Sequence, residues 1–122
     1  MSDIAIIKIG NKIIVPIQNE LNDIIAEKLQ ASILKTIESV GAKGLIIDVS
    51  TLSIIDSFMG RLLVDTAKMA QLMGCETALT GMRKEVVLTL VQLGLIISDI
   101  NTSLNIEDGI ELLDRIIRGR ND

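Results

Sequence analysis

A chain of 122 residues has room for one hydrophobic core of ordinary size, which needs no disulfide or metal to support it. Hydrophobic residues make up 48% of it and charged residues 23%, a balance that excludes a disordered segment. The net charge of −4, the absence of any Lys or Arg run longer than a pair, and a single aromatic residue, Phe58, exclude the basic surface and stacking platforms of nucleic-acid binding.

Ile4 to Ile9 and Ile13 to Ile17 are β-branched runs separated by Gly10-Asn11-Lys12, and this spacing predicts a hairpin of two antiparallel strands. Pro16 donates no ladder hydrogen bond, so it marks an edge, a bulge or the end of its strand. From Leu21 the apolar residues recur at helical spacing through Ile25, Leu29, Ile33, Ile37 and Val40, until Gly41 supplies a left-handed stop. Leu45 to Val49 is short, apolar and β-branched, the pattern of a strand covered on both faces and hence of the sheet centre. Ser57 to Met73 is helical again, with Met59, Leu62, Leu63, Thr66, Ala70 and Met73 in one stripe and Gly74 at its end. A strand from Cys75 to Thr80 follows, then a helix from Arg83 to Leu93 ended by Gly94. A short strand near Thr102 to Leu104 leads to a last helix, which turns Ile106, Ile110, Leu113 and Ile117 inward and ends at Gly119. Asn105 and Asp108 have the spacing of a capping box at its start.

The order β-β-α-β-α-β-α-β-α places the chain in the α/β class: a mixed sheet, parallel in its later strands, with flanking helices as crossovers. No linker, repeat or low-complexity segment divides it, so a single domain over residues 1–122 is expected. Met1-Ser2-Asp3 lacks a basic region leading into a long apolar one, and no run approaches the roughly 20 apolar residues of a membrane span. The expectation is a cytoplasmic protein without membrane contact.

Enzyme readings find little to stand on. Neither G-x-G-x-x-G nor G-x-x-x-x-G-K-[ST] follows any predicted strand, and there is no His for base catalysis. Cys75 is alone, which excludes an internal disulfide and the paired Cys/His zinc patterns, and its place at the start of a buried strand suits a core residue better than a nucleophile. Asp48 at a strand end and Glu107-Asp108 in a first helical turn are accounted for by edge polarity and the helix dipole. No catalytic residue, cofactor or metal is expected.

What remains is Ile54-Ile55-Asp56-Ser57-Phe58-Met59-Gly60, where polar residues open a helix just after the central strand. Helix capping alone would account for Asp56-Ser57. On a helical wheel, however, Ser57 aligns with Arg61, Val64 and Lys68 opposite the core stripe, which predicts a solvent-facing Ser57. The wheel also turns Val64 and Leu72 outward, either as a modest contact patch or as scattered surface apolar residues. The loops after Ile17, Val49 and Thr80 all leave carboxyl ends of strands, so Gln18-Asn19, Asp56-Ser57 and Thr80-Gly81-Met82-Arg83 are expected along one rim, where open α/β sheets place their sites.

Asp56-Ser57 together with the run Leu79-Thr80-Gly81-Met82-Arg83-Lys84-Glu85-Val86-Val87-Leu88-Thr89-Leu90-Val91-Gln92-Leu93-Gly94-Leu95 resembles the STAS family of anti-sigma factor antagonists, and the element order matches along the whole chain. The resemblance implies a STAS-like fold and a phosphorylated serine at Ser57, with Asp56, Phe58, Arg61, Thr80, Gly81 and Arg83 as partner contacts. The common antagonist pattern Asp-Ser-Ser/Thr-Gly is departed from, since Phe58 and Met59 follow Ser57 and the glycine is delayed to Gly60. Lys84 stands where many relatives carry proline. An aromatic after the serine is most like the stressosome scaffold branch of the family. That branch implies a homo- or hetero-oligomer with RsbR-type STAS-containing paralogues, an RsbT-type serine kinase held on it, and a phosphatase acting on Ser57. A simple anti-sigma factor antagonist and an accessory STAS subunit of a membrane transporter are the alternatives. A flavodoxin-shaped nucleotide binder lacks its phosphate loop.

Overall fold

The computed structural model describes residues 5–18, 21–95 and 99–120. In chain order the elements are β1 (Ile7–Ile9), β2 (Lys12–Pro16), α1 (Asp23–Val40), β3 (Gly44–Asp48), α2 (Ser57–Leu72), β4 (Glu76–Thr80), α3 (Lys84–Gln92), β5 (Asn101–Ser103) and α4 (Ile106–Arg120). The five strands lie in the order β1-β2-β3-β4-β5. β1 runs antiparallel to β2 and the remaining pairs are parallel.

Lys12 was assigned to the first turn by its sequence, but it pairs with Ile9 and begins β2, so the turn is the two residues Gly10-Asn11. Of the predicted first strand, Ile4 lies outside the described residues. Pro16 ends β2, where a missing N–H breaks no further ladder. β3 is buried throughout, as the middle of five strands must be when both faces are covered.

Side chains alternate along the strands, and the two resulting faces are covered unequally. Ile13, Val15, Leu45, Ile47 and Leu79 point into a large cluster with Leu29, Ile33 and Ile37 of α1, Leu62 and Leu63 of α2, and Val86 and Leu90 of α3. Ile14, Ile46 and Ala78 point the other way, against Leu113 and Ile117 of α4. Lys12 Nζ forms an ion pair with Asp114 of α4, which keeps a buried lysine at the sheet compensated.

The helices begin and end as their chemistry requires. Asn22 caps α1 by accepting the Ile25 N–H at 2.8 Å, and Gly41, at φ 65°, takes the left-handed turn that ends it. Asn105 does the same for α4, accepting the Asp108 N–H at 2.8 Å. Between α1 and α2 the buried Thr66 accepts from Gln30 Nε2 at 2.9 Å and donates to the Leu62 carbonyl, so its hydroxyl is paired both as donor and as acceptor.

Candidate functional site

Ser57 is the first residue of α2, and its side chain is exposed. The cap of this helix is Asp56: its backbone is extended and its Oδ1 accepts the Met59 N–H at 2.8 Å. Capping therefore belongs to Asp56 and leaves the Ser57 hydroxyl without that duty. The amides of Ser57 and Phe58 are among those that a helix start cannot pair within itself, and together with the helix dipole they favour negative charge there.

Behind the serine, the chain is anchored by apolar residues. Ile55 and Met59 are buried and the half-buried Phe58 packs against the larger core cluster. Gly60 faces α3: a Cβ at this position would stand 3.0 Å from Leu93 Cδ1 and 3.3 Å from Leu90 Cδ2. The glycine that the sequence displaces to this position thus lets α2 pack against Leu90 of α3 and its C-cap Leu93.

The outward stripe of α2 is Ser57, Arg61, Asp65 and Leu72, of which Leu72 is 89% exposed. Val64 does not belong to it. The wheel turns it outward, but it is 1% exposed and lies in the core cluster. The reason is that α2 is flanked by α1 on one side and α3 on the other, which widens its buried face beyond what one sheet contact would bury.

The carboxyl ends of the strands do converge. The Ile17 N–H donates to the Asp48 carbonyl at 2.9 Å, and the Val49 N–H donates to the Thr80 carbonyl at 3.0 Å. Arg83 Nε reaches back to the Ser50 carbonyl at 2.9 Å. Gly81, half-buried at φ 74°, passes so close to Ser50 that a Cβ on it would lie 2.7 Å from the Ser50 Cβ. The rim around Ser50, Gly81, Met82, Ser103 and Leu104 encloses an open depression of about 480 Å³. Gln18 is exposed at the same edge, while Asn19 lies outside the described residues.

Thr80 requires a correction. Expected as a partner contact, it is 0% exposed and its hydroxyl donates to Asp48 Oδ1 at 2.7 Å, so no partner can reach it. Its location at a strand end suggested the rim; instead Thr80 shares a sheet face with its register partner Asp48, and α4 closes over that face, where a Cβ on Gly109 would stand 2.9 Å from Thr80 Cγ2. Asp48, accounted for by edge polarity from the sequence, is instead buried and accepts from both Thr80 and Ser50, a network that the sequence reading missed. A carboxylate at the end of a buried strand, two residues before a serine, was the available signal.

Cys75 is buried at 0% exposure, and burial, with Glu76 beside it, pushes its thiol up to about 12. Among the described residues no cluster of three or more His, Cys, Asp or Glu is placed to hold a metal, and no helix is long and apolar enough to cross a membrane.

A STAS-domain family profile matches residues 3–109. The chain belongs to the STAS family. Among solved STAS structures, a serine-to-glutamate variant of Moorella thermoacetica RsbS is 32% identical, with a TM-score of 0.87, covering 96% of this chain and 99% of the other. A structure described as showing the molecular architecture of the stressosome, a signal integration and transduction hub, matches at 33% identity and a TM-score of 0.84, covering 93% and 99% of the two chains. The unphosphorylated anti-sigma factor antagonist SpoIIAA shares the fold, at 18% identity and a TM-score of 0.68 over 93% and 96%. Comparison with curated protein sequences returns no match.

Proposed function

We propose that this STAS protein is a non-catalytic scaffold subunit of a stressosome-like cytoplasmic assembly, which sequesters an RsbT-type serine kinase and is regulated by phosphorylation of Ser57. The observation that carries this reading is the position of Ser57: exposed, first in α2, and relieved of capping by Asp56. The near full-length likeness to RsbS, one structure of which replaces a serine by glutamate, supports it.

In this reading the chain is substrate and not catalyst. The exposed Asp56, Arg61 and Arg83, the half-buried Phe58 and Gly81, and the rim between them form the contact surface. RsbR-type paralogues complete the assembly, and a phosphatase resets Ser57.

The deciding experiment is mass spectrometry of the protein after incubation with its partner kinase and ATP. Label is expected at Ser57, with Ser57→Ala losing most of it. Label at Ser53 or Thr51 in a protein whose Ser57 stays unmodified would show that the acceptor has been misassigned.

A further inference from the structure

Asp48 ends β3 in the middle of the sheet and is only 8% exposed. A carboxylate so placed needs donors, and two hydroxyls supply them: Thr80 Oγ1 reaches Oδ1 and Ser50 Oγ reaches Oδ2, each at 2.7 Å, with the Ser50 N–H at 3.4 Å from the same Oδ2. Thr80 is its register partner on β4, and Ser50 begins the loop that leads to Ser57. One side chain thereby joins two strands and a loop.

The same loop is fastened elsewhere. Thr51 Oγ1 donates to the Ile17 carbonyl at 2.9 Å, beyond the end of β2, and Leu52 and Ile55 are buried. Arg83 Nε holds the Ser50 carbonyl, and only the lack of a side chain at Gly81 lets the β4–α3 junction lie against Ser50. None of these bonds involves Ser57 itself. They fix the backbone that delivers it.

We propose that Asp48 and Thr80 are positioning residues for phosphate transfer to Ser57: the buried carboxylate and hydroxyl hold Ser50 and the loop after it, so that Ser57 and the Gly81-Arg83 segment meet a kinase as one preformed rim. The inference rests on Ser57 being the acceptor. The transfer forms a bond from Ser57 Oγ to the γ-phosphorus of a nucleoside triphosphate held by the kinase. The bond from that phosphorus to the β–γ bridging oxygen breaks, the nucleoside diphosphate leaves, and the hydroxyl proton passes to a base on the kinase. Asp48 and Thr80 touch none of the reacting atoms. Their contribution is that the kinase need not order the loop at each encounter.

Three variants separate positioning from mere stability. Thr80→Val keeps the shape and removes the donor, Thr80→Ser keeps the donor, and Ile117→Val weakens the core beside Gly44 at the opposite end of β3 with the Asp48–Thr80 bond intact. The readouts are hydrogen exchange of the amides from 50 to 57, the urea unfolding midpoint, and the rate of Ser57 phosphorylation by the kinase. Thr80→Val is expected to exchange these amides about tenfold faster and to be phosphorylated about tenfold more slowly. Thr80→Ser restores both, and Ile117→Val lowers the midpoint while changing neither. A labelled wild type with an indifferent Thr80→Val, or an Ile117→Val that is slowed equally, overturns the inference alone. A wild type that takes no phosphate at Ser57 overturns the reading of the acceptor, and the inference with it.

Discussion

Asp56 and Ser57 are adjacent, yet the structure gives them separate duties, and the separation has a measurable consequence. Because the Asp56 carboxylate holds the Met59 N–H, truncating Ser57 removes only an exposed hydroxyl. Ser57→Ala should change stability by no more than about 0.5 kcal/mol, whereas Asp56→Ala should cost about 1 kcal/mol, both read from urea unfolding midpoints. The reverse ranking would make Ser57 chiefly structural. The exposure of Ser57 was legible in the sequence, since any helix that buries Leu62, Leu63 and Thr66 must turn its first residue outward. Val64 was not, because a wheel counts one buried face and cannot know that two helices flank α2. Thr80 was misjudged for a related reason: position along a strand is visible in sequence, but the Asp48 carboxylate that captures its hydroxyl comes from a neighbouring strand.

At the scale of elements, the junction between β4 and α3 is the most constrained turn of the rim. Gly81 has φ 74°, where a side chain strains the backbone, and the Cβ it lacks would also lie 2.7 Å from the Ser50 Cβ and 3.1 Å from its Cα. Gly41 has a comparable φ of 65°, but a Cβ there would meet nothing within 4 Å. Gly41→Ala should therefore cost only the conformational part, about 1 to 2 kcal/mol, while Gly81→Ala adds an overpacking cost and reaches about 2 to 4 kcal/mol. Equal losses in denaturant unfolding would mean that the loop after β3 yields easily and that the rim is not tightly joined. The succession of elements was readable because β-branched runs, helical spacing and glycine stops agree with one another along the chain. Most ends moved by a residue or two, as where the Asn22 cap starts α1 at Asp23, while β1, expected from Ile4, is found only from Ile7. Lys84, at the first position of α3, occupies a place where proline is also tolerated, so that departure from the family pattern leaves the helix intact.

For the molecule as a whole, the question is what a phosphate on Ser57 changes. Phosphoserine adds about −1.5 to −2 charges at neutral pH, and it would do so at the positive end of α2, where the first amides and the dipole accept it. The core behind it, built from Ile55, Met59 and their neighbours, is buried while Ser57 faces solvent, so the fold is expected to persist. A docking partner meets a different situation. The same charge stands beside the exposed Asp56 on a chain whose net charge is already −4, on a rim that must lose water for a kinase to seat. If unpaired charge there costs even about 3 kcal/mol, affinity falls more than a hundredfold, since each 1.4 kcal/mol is tenfold. Arg61 stands one turn along the exposed stripe of α2, in position to pair with the phosphate and moderate the loss. Arg61→Ala should then make the phosphorylated protein release its kinase more completely, while Ser57→Asp, with less charge and fewer acceptor oxygens, reproduces the effect only in part. Titration calorimetry of kinase binding, with unmodified and stoichiometrically phosphorylated protein, measures this directly. Equal affinity for the two forms would remove the switch, and a far-ultraviolet dichroism spectrum altered by phosphorylation would place the change in the fold instead of at the rim.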